Sequence, residues 1–175
     1  MLNGAMLKLE PPNNFALSAA LGWLELGNAR EALAELEQVS PQHRSHPAVL
    51  EMRFSVLAEL KRWDDALGTA DELVRILPNQ AGGWLHRAYA LRRASSGGLP
   101  QAWDALLPGA DKFPRQFLIA FNLACYACQM QRLDDARLWL KRAAENSTEA
   151  EMLEMALADP DLEPLWPELR AQSSK

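Results

Sequence analysis

Cys125 and Cys128, in "NLACYACQM", are the residues whose types and spacing most directly suggest chemistry. A CxxC pair can exchange disulfides or supply half of a zinc site. Exchange needs the first thiol at a helix N-terminus in a βαβ setting, where the helix dipole favours the thiolate. Here the pair lies inside an apolar-periodic segment with no strand pattern before it. Zinc needs about four ligands. The chain has 3 histidines, His43, His46 and His86, and no second CxxC. The expectation is two small thiols packed between helices. An approach of His86 to Cys125 from a neighbouring helix would leave a weak metal site or thiol sensor as the alternative. His43 and His46 have a metal-like spacing, but "SPQHRSHP" reads as a connector between helices, so both are expected in a solvated loop. Gly82-Gly83 and Gly97-Gly98 lack the lysine and the strand–loop–helix frame of a phosphate cradle. Asp64-Asp65 and Asp134-Asp135 look like paired acid/base carboxylates. Each pair instead opens a helical segment, where carboxylates oppose the positive end of the helix dipole. No nucleophile, base and orienting group stand together in the pattern. The chain is therefore expected not to be an enzyme and to use no cofactor.

Those residues sit on elements that the rest of the chain must position. Of 175 residues, 49% are hydrophobic and 23% charged, which suits a folded domain with its own core. The formal net charge of −5 disfavours general nucleic-acid binding, which needs cations to displace phosphate counterions, and docking on anionic membranes. No run approaches the ~18 apolar residues of a membrane span. The N-terminus lacks a basic segment followed by an apolar run, so no secretion signal is read and the cytoplasm is the default.

The helical segments repeat. "GNAREAL", "RWDDAL", "PQAWDAL" and "RLDDAR" align on Ala32, Ala66, Ala102 and Ala136, with spacings of 34, 36 and 34 residues. The two extra residues of the longer interval fall in "SSGGLP", a loop by composition. A second set of marks keeps register: Ala20, Phe54, Ala88 and Ala124 precede the aligned alanines, and Pro78 and Pro114 follow two of them. Each period holds two apolar-periodic segments with a short break between them. In the second period Val49, Met52, Val56 and Leu57 share one face, and Ala66, Ala70, Leu73 and Leu77 another. A break that short makes neighbouring helices antiparallel.

This pattern resembles the tetratricopeptide repeat. The third period carries Trp84, Ala88, Leu91, Ala102, Leu106 and Pro114 at the family's marked positions. The second keeps Leu50, Leu57, Ala66, Ala70 and Pro78. The fourth keeps Leu123, Ala124, Ala136, Leu140 and Ala143, and the first Ala20, Trp23, Gly27, Ala32 and Leu36. Phe54 stands where a small residue is usual, Arg53 and Arg87 stand at positions usually apolar, and Pro41 should end the second helix of the first unit early. The resemblance implies an all-α fold, a right-handed superhelical solenoid of antiparallel helix pairs. An extension over 1–12 would precede four repeats (13–46, 47–80, 81–116 and 117–150), with a capping helix and tail over 151–175. Stacked pairs bury one another's apolar faces, which is why one chain writes the same helix several times.

The resemblance also implies a function. The first helix of each unit lines a concave groove that takes a peptide or protein segment. Carried over position by position, the groove would comprise Leu17, Leu21, Leu24 and Glu25; Glu51, Ser55 and Glu59; Leu85, His86, Tyr89, Arg92 and Arg93; and Phe121, Asn122, Cys125, Cys128 and Gln129. The family's clamp for a chaperone's terminal carboxylate is not expected, because Leu17, Leu21, Met52, Gly82 and His86 occupy its places. Arg92 and Arg93 with Tyr89 could instead hold a partner's carboxylate over an aromatic face. The first reading is thus a non-catalytic interaction module for a protein or peptide partner. A self-assembling structural module is the alternative, and a cysteine-based metal or redox sensor a more remote one.

Beyond the repeats, Thr148 to Glu151 fits a capping box. Met152, Met155 and Ala156 follow at helical spacing and predict a lid helix ending near Asp159-Pro160. Asp159 reads as a cap, Pro160 as a first helical residue, and Leu162, Leu165 and Trp166 as the docking residues of a hydrophobic clasp. A self-association segment is the other reading of this stretch. The ends, "MLNGAM" and "QSSK", are expected to be disordered.

Overall fold

The computed structural model describes residues 9–172. The disorder expected at the two ends falls outside those residues, apart from Gln172, which closes the last helix. The described chain is helical: α1 (Asn13–Glu25), α2 (Ala29–Glu37), α3 (Pro47–Glu59), α4 (Trp63–Ile76), α5 (Ala81–Leu91), α6 (Leu99–Lys112), α7 (Phe117–Gln129), α8 (Leu133–Ala144), α9 (Glu149–Ala158) and α10 (Trp166–Gln172). Short 3-10 helices cover Pro41–His43 and Pro160–Leu165. Helices pack in consecutive pairs, α1 with α2, α3 with α4, α5 with α6 and α7 with α8.

The pairs are turned by one recurring device. α1, α3 and α7 each end on a residue in the left-handed region, Gly27 at φ 74°, Lys61 at φ 55° and Gln131 at φ 62°. After each, the next amide reaches back to close the turn: Asn28 to the Trp23 carbonyl, Arg62 to Leu57 and Arg132 to Ala127, all at 2.9 Å. This is the Schellman closure, which satisfies the last carbonyls of a helix and reverses the chain within three residues. The second helix then starts with its carboxylates in the first turn. Arg62 Nε donates to Asp65 at 2.8 Å and Arg132 Nε to Asp135 at 2.7 Å, so one aspartate of each pair is held by the arginine three residues before it. The third pair departs through its two-residue insertion. Gly98 donates to the Leu91 carbonyl at 3.0 Å, and Gly97 lies so close to that carbonyl that an added Cβ would stand 1.7 Å from its oxygen. Only glycine fits there.

By contacts the chain forms two compact units, Met1–Leu77 and Pro78–Lys175. In the first, α1 to α3 enclose Ala20, Ala32, Leu36, Val39, Val49 and Val56. In the second, α5 to α10 enclose a larger core around Ala88, Leu106, Ile119, Leu123, Ala124 and Leu140. The four aligned alanines are all 0% exposed, so the recurring small residue marks helix-to-helix contact. α2 is short and ends before Pro41, which opens the 3-10 turn. Phe54 is accommodated inside the first unit, buried in a place where a small residue was the expectation. Pro108 lies inside α6, on its exposed side, where water can take the carbonyl that its missing N–H leaves unbonded.

Two expectations are corrected here. His43 and His46 do lie in the connector between α2 and α3, but both are half-buried and hydrogen-bonded there. Asn13, itself buried, accepts from the Ser40 amide at 2.8 Å and its hydroxyl at 2.9 Å, and its Nδ2 lies 3.2 Å from His43 Nδ1. This network fastens the 3-10 turn to the start of α1. His46 Nδ1 accepts from the Ala48 amide at 3.2 Å and caps α3. Met155 is the other correction. It is exposed; Met152 and Ala156 carry the buried face of the lid helix α9, with Leu153 and Leu157 partly buried beside them.

Candidate functional site

In the first unit the groove positions fall on α1 and α3. Leu17 and Leu24 pack against the unit's core, whereas Leu21 is 45% exposed. Glu25 and Glu59 face solvent and Glu51 is half-buried. Ser55 is exposed but turns its hydroxyl onto the Glu51 carbonyl at 3.1 Å. α1 further exposes Phe15 and Trp23, and Leu26 just after it, which makes this the most apolar exposed stretch of the unit.

In the second unit the positions fall on α5 and α7, and most are already engaged. Leu85 packs against the core, and His86 is half-buried. Tyr89 remains 43% exposed, with the Arg93 guanidinium 3.8 Å from its ring centre and bonded to the Tyr89 carbonyl at 2.9 Å. Asn122 is half-buried. Phe121 and Cys125 are buried, as is Cys128, which removes all three from the surface a partner could touch. Phe121 stacks on Phe117, and the two thiols lie inside α7.

Arg92 does hold a carboxylate, and it comes from the same chain, whereas Arg93 turns to the Tyr89 carbonyl and ring. α9 starts at its capping box: Thr148 and Glu151 bond each other's amides, at 3.1 and 3.2 Å. After α9 the chain turns at Asp159, whose Oδ1 accepts from the Asp161 amide at 2.9 Å. The following 3-10 helix packs on α7. Both terminal Arg92 guanidinium nitrogens bond the Asp161 carboxylate, Nη2 at 2.8 Å. Gln129 Nε2 donates to the Asp161 main-chain carbonyl at 2.9 Å. Leu162 and Leu165, three residues apart, bury on one side of the segment, since a 3-10 helix has about 3 residues per turn. Trp166 Nε1 then bonds the Ala156 carbonyl at 2.9 Å, Leu169 buries, and Glu168 pairs with Arg137 at 2.6 and 2.8 Å. The aromatic ring beside Arg92 is Tyr126, 5.7 Å from its centre, rather than Tyr89.

The electrostatics follow from this closure. The hydrogen bond to Asp161 holds Arg92 more firmly protonated than usual, against the opposing effect of burial. Burial pushes the Tyr126 phenol up to about 12. Burial, then the facing Asp159 carboxylate, push the Cys125 thiol far up, and Cys125 Sγ donates to Asp159 at 3.5 Å. Burial also raises Cys128. A thiol that resists ionisation is a poor nucleophile and a poor redox centre. Cys125, Asp159 and Asp161 do bring three potential ligand atoms within 4.8 Å of one another. The donor set does not suit a metal, however. Asp161 already spends both oxygens on a fixed guanidinium, and the thiol must stay protonated to donate.

Asp161 and Tyr126 are site residues that the sequence reading missed, and Asp159, read there as a cap, also faces Cys125. Asp161 lies 69 residues from Arg92. The available signal was the "DPDL" run itself, an acid next to an apolar anchor, downstream of a helix already expected to want an acid.

No protein-family model matches the sequence, and no curated protein matches it. Solved structures do. TTC0263, a thermophilic TPR protein of Thermus thermophilus, superposes with a TM-score of 0.64 at 19% identity, over 93% of this chain and 97% of that one. The MamA RS-1 ArsTM double mutant superposes with a TM-score of 0.66 at 16% identity, over 77% of this chain and 75% of that one. At these identities the likeness is one of fold: an all-α solenoid of the tetratricopeptide type.

Proposed function

We propose that the chain is a non-catalytic interaction module that binds a protein or peptide segment on the faces of its first-in-pair helices. The observation that carries this reading is the seating of Asp159–Leu165 on α7 and Arg92. That face takes a chain segment by a charge-assisted pair, a main-chain hydrogen bond and two leucine anchors. These are the contacts by which helical grooves take peptides. The residues left accessible for a partner are Leu21, Glu25, Ser55 and Glu59 in the first unit, and Tyr89 and Arg93 in the second. The fold of the solved neighbours agrees with a scaffold role and says nothing of a partner's identity.

The test is capture of binding proteins from the source organism's lysate by the wild-type chain, a Tyr89→Ala/Arg93→Glu variant and a Leu21→Asp variant. Arg92 is left untouched, because changing it would loosen the chain's own C-terminal segment. Proteins retained by the wild type and lost by one of the variants support the reading. Equal retention by all three would place binding elsewhere and defeat the assignment. A second reading, association between copies, has one observation in its favour: Phe15 on α1 and Leu26 at its C-terminal cap are 65% and 77% exposed. Light scattering across a concentration series tests it, and a constant monomer mass rules it out.

A further inference from the structure

We propose that Asp159–Leu165 is a tethered ligand, and that the partner of the α5–α7 face is a protein segment carrying the same pattern: an aspartate, an adjacent leucine and a second leucine three residues on. This rests on the interaction-module reading and specifies the chemistry of its partner.

The argument starts from how the segment is held. Its two leucines are buried in the core of the second unit. The segment's contacts sort into those reading sequence and those reading only a backbone. The Arg92 fork reads a carboxylate, with two guanidinium nitrogens on the two oxygens of Asp161. Gln129 donates to a main-chain carbonyl and would do so to that of any residue. Leu162 and Leu165 fill the apolar part of the face. Between and around them, Pro160, Glu163 and Pro164 are exposed and leave the segment's outer side free of the fold. The two prolines fix backbone angles before docking, so little freedom is lost on binding. The Arg92–Asp161 pair is about one-fifth exposed on each side, within reach of solvent and of a competing carboxylate.

Charge complementarity points the same way. On this face Arg92 lies over the ring of Tyr126, with the neutral donor Gln129 beside it. An acidic segment satisfies it; a basic or neutral one would leave a guanidinium half-buried without its counter-charge. Because the tether keeps the native segment at high local concentration, a free segment binds the wild-type chain only in proportion to the fraction in which the face is open.

The experiment uses the full chain and a fluorescein-labelled peptide of residues 158–167, with anisotropy as the readout. The wild type is expected to bind weakly. Asp161→Ala frees Arg92 and should bind the unaltered peptide about tenfold more tightly, because the competent fraction rises. The Asp161→Ala/Arg92→Ala chain should lose that gain. Equal affinity for wild type and Asp161→Ala, or no binding to either while circular dichroism stays native, would overturn the proposal. A second measurement needs no variant. Amide exchange of 161–166 in the wild type should be faster than in the interior of α7, and equal protection would show a permanent part of the core and overturn it. Wild-type mass that rises with concentration and falls on adding peptide would make the occupant another copy's own tail, and would overturn the commitment to a separate partner. A negative result here, with the capture experiment positive, removes the tethered ligand and leaves the interaction reading standing.

Discussion

At the scale of single residues, the recurring turn explains why the repeat is visible and why part of it is not. Gly27, Lys61 and Gln131 occupy the same left-handed place, 34 and then 70 residues apart. Only the first is glycine. A Cβ in this conformation crowds the following carbonyl and costs roughly 1 kcal/mol or more. Nothing lies within 4 Å of a Cβ built at Gly27, so the cost there would be one of backbone alone. Lys61→Gly and Gln131→Gly should therefore each stabilise the fold by about 0.5–1 kcal/mol, the added freedom of the unfolded chain offsetting part of the gain. Gly27→Ala should cost a similar amount. Urea denaturation measures all three, and a destabilising Lys61→Gly would show that the turn is held by side-chain contacts instead. Lys and Gln carry no sign of this conformation in their composition, which is why the alanines, not the turns, disclosed the period. Arg92 shows the complementary case. Its appetite for a carboxylate was legible from the arginine and a nearby tyrosine. Which carboxylate, and which tyrosine, depended on where a tail some seventy residues later folds back, and no local pattern encodes that.

At the scale of elements, the helices were legible because amphipathic spacing and stop signals agree within each one. The capping box at Thr148 and Glu151 is a local signal of the same kind. α10 is different. It has seven residues, too few to be stable alone, and depends on what it docks against. Leu169 supplies the buried contact and Glu168 the charged one, bonded through both oxygens to Arg137 of α8. That hydrogen-bonded pairing lowers the Glu168 carboxyl below its ordinary value. A carboxylate lowered in the folded state adds stability above its unfolded value of about 4.3, and the addition is lost as pH falls through the folded value. The melting temperature of the wild type should thus exceed that of Glu168→Gln near neutral pH, and the difference should vanish as pH falls below the folded value. It should also shrink in high salt, since both partners are close to half exposed. A difference that persists unchanged in acid would assign the effect to packing of the helix rather than to the ion pair.

At the scale of the whole molecule, the C-terminal segment has two demands placed on it, and they pull in opposite directions. A stack of helix pairs must cover its last apolar face. Leu162, Leu165 and Leu169 do so and are almost wholly buried. At about 1.5–3 kcal/mol for each side chain taken out of water, removing residues 159–175 should cost several kcal/mol, an upper bound because unfolded chains already bury some surface. The loss should fall on Pro78–Lys175 and spare Met1–Leu77, because repeat arrays couple mainly to their nearest neighbours. Hydrogen exchange read helix by helix measures this. Protection should fall in α5 to α8 of the shortened chain and stay unchanged in α1 to α4. A uniform loss would mean that the two units unfold as one, and no loss would mean that the tail adds nothing to the core. A tethered ligand has the other demand, that it can be replaced. The two are compatible only if the replacement covers the same leucine pockets and returns a carboxylate to Arg92. The shortened chain should then regain protection in α7 when the free 159–172 peptide is added. A peptide with Asp161→Ala should restore less, since it fills the pockets but leaves the guanidinium without its partner.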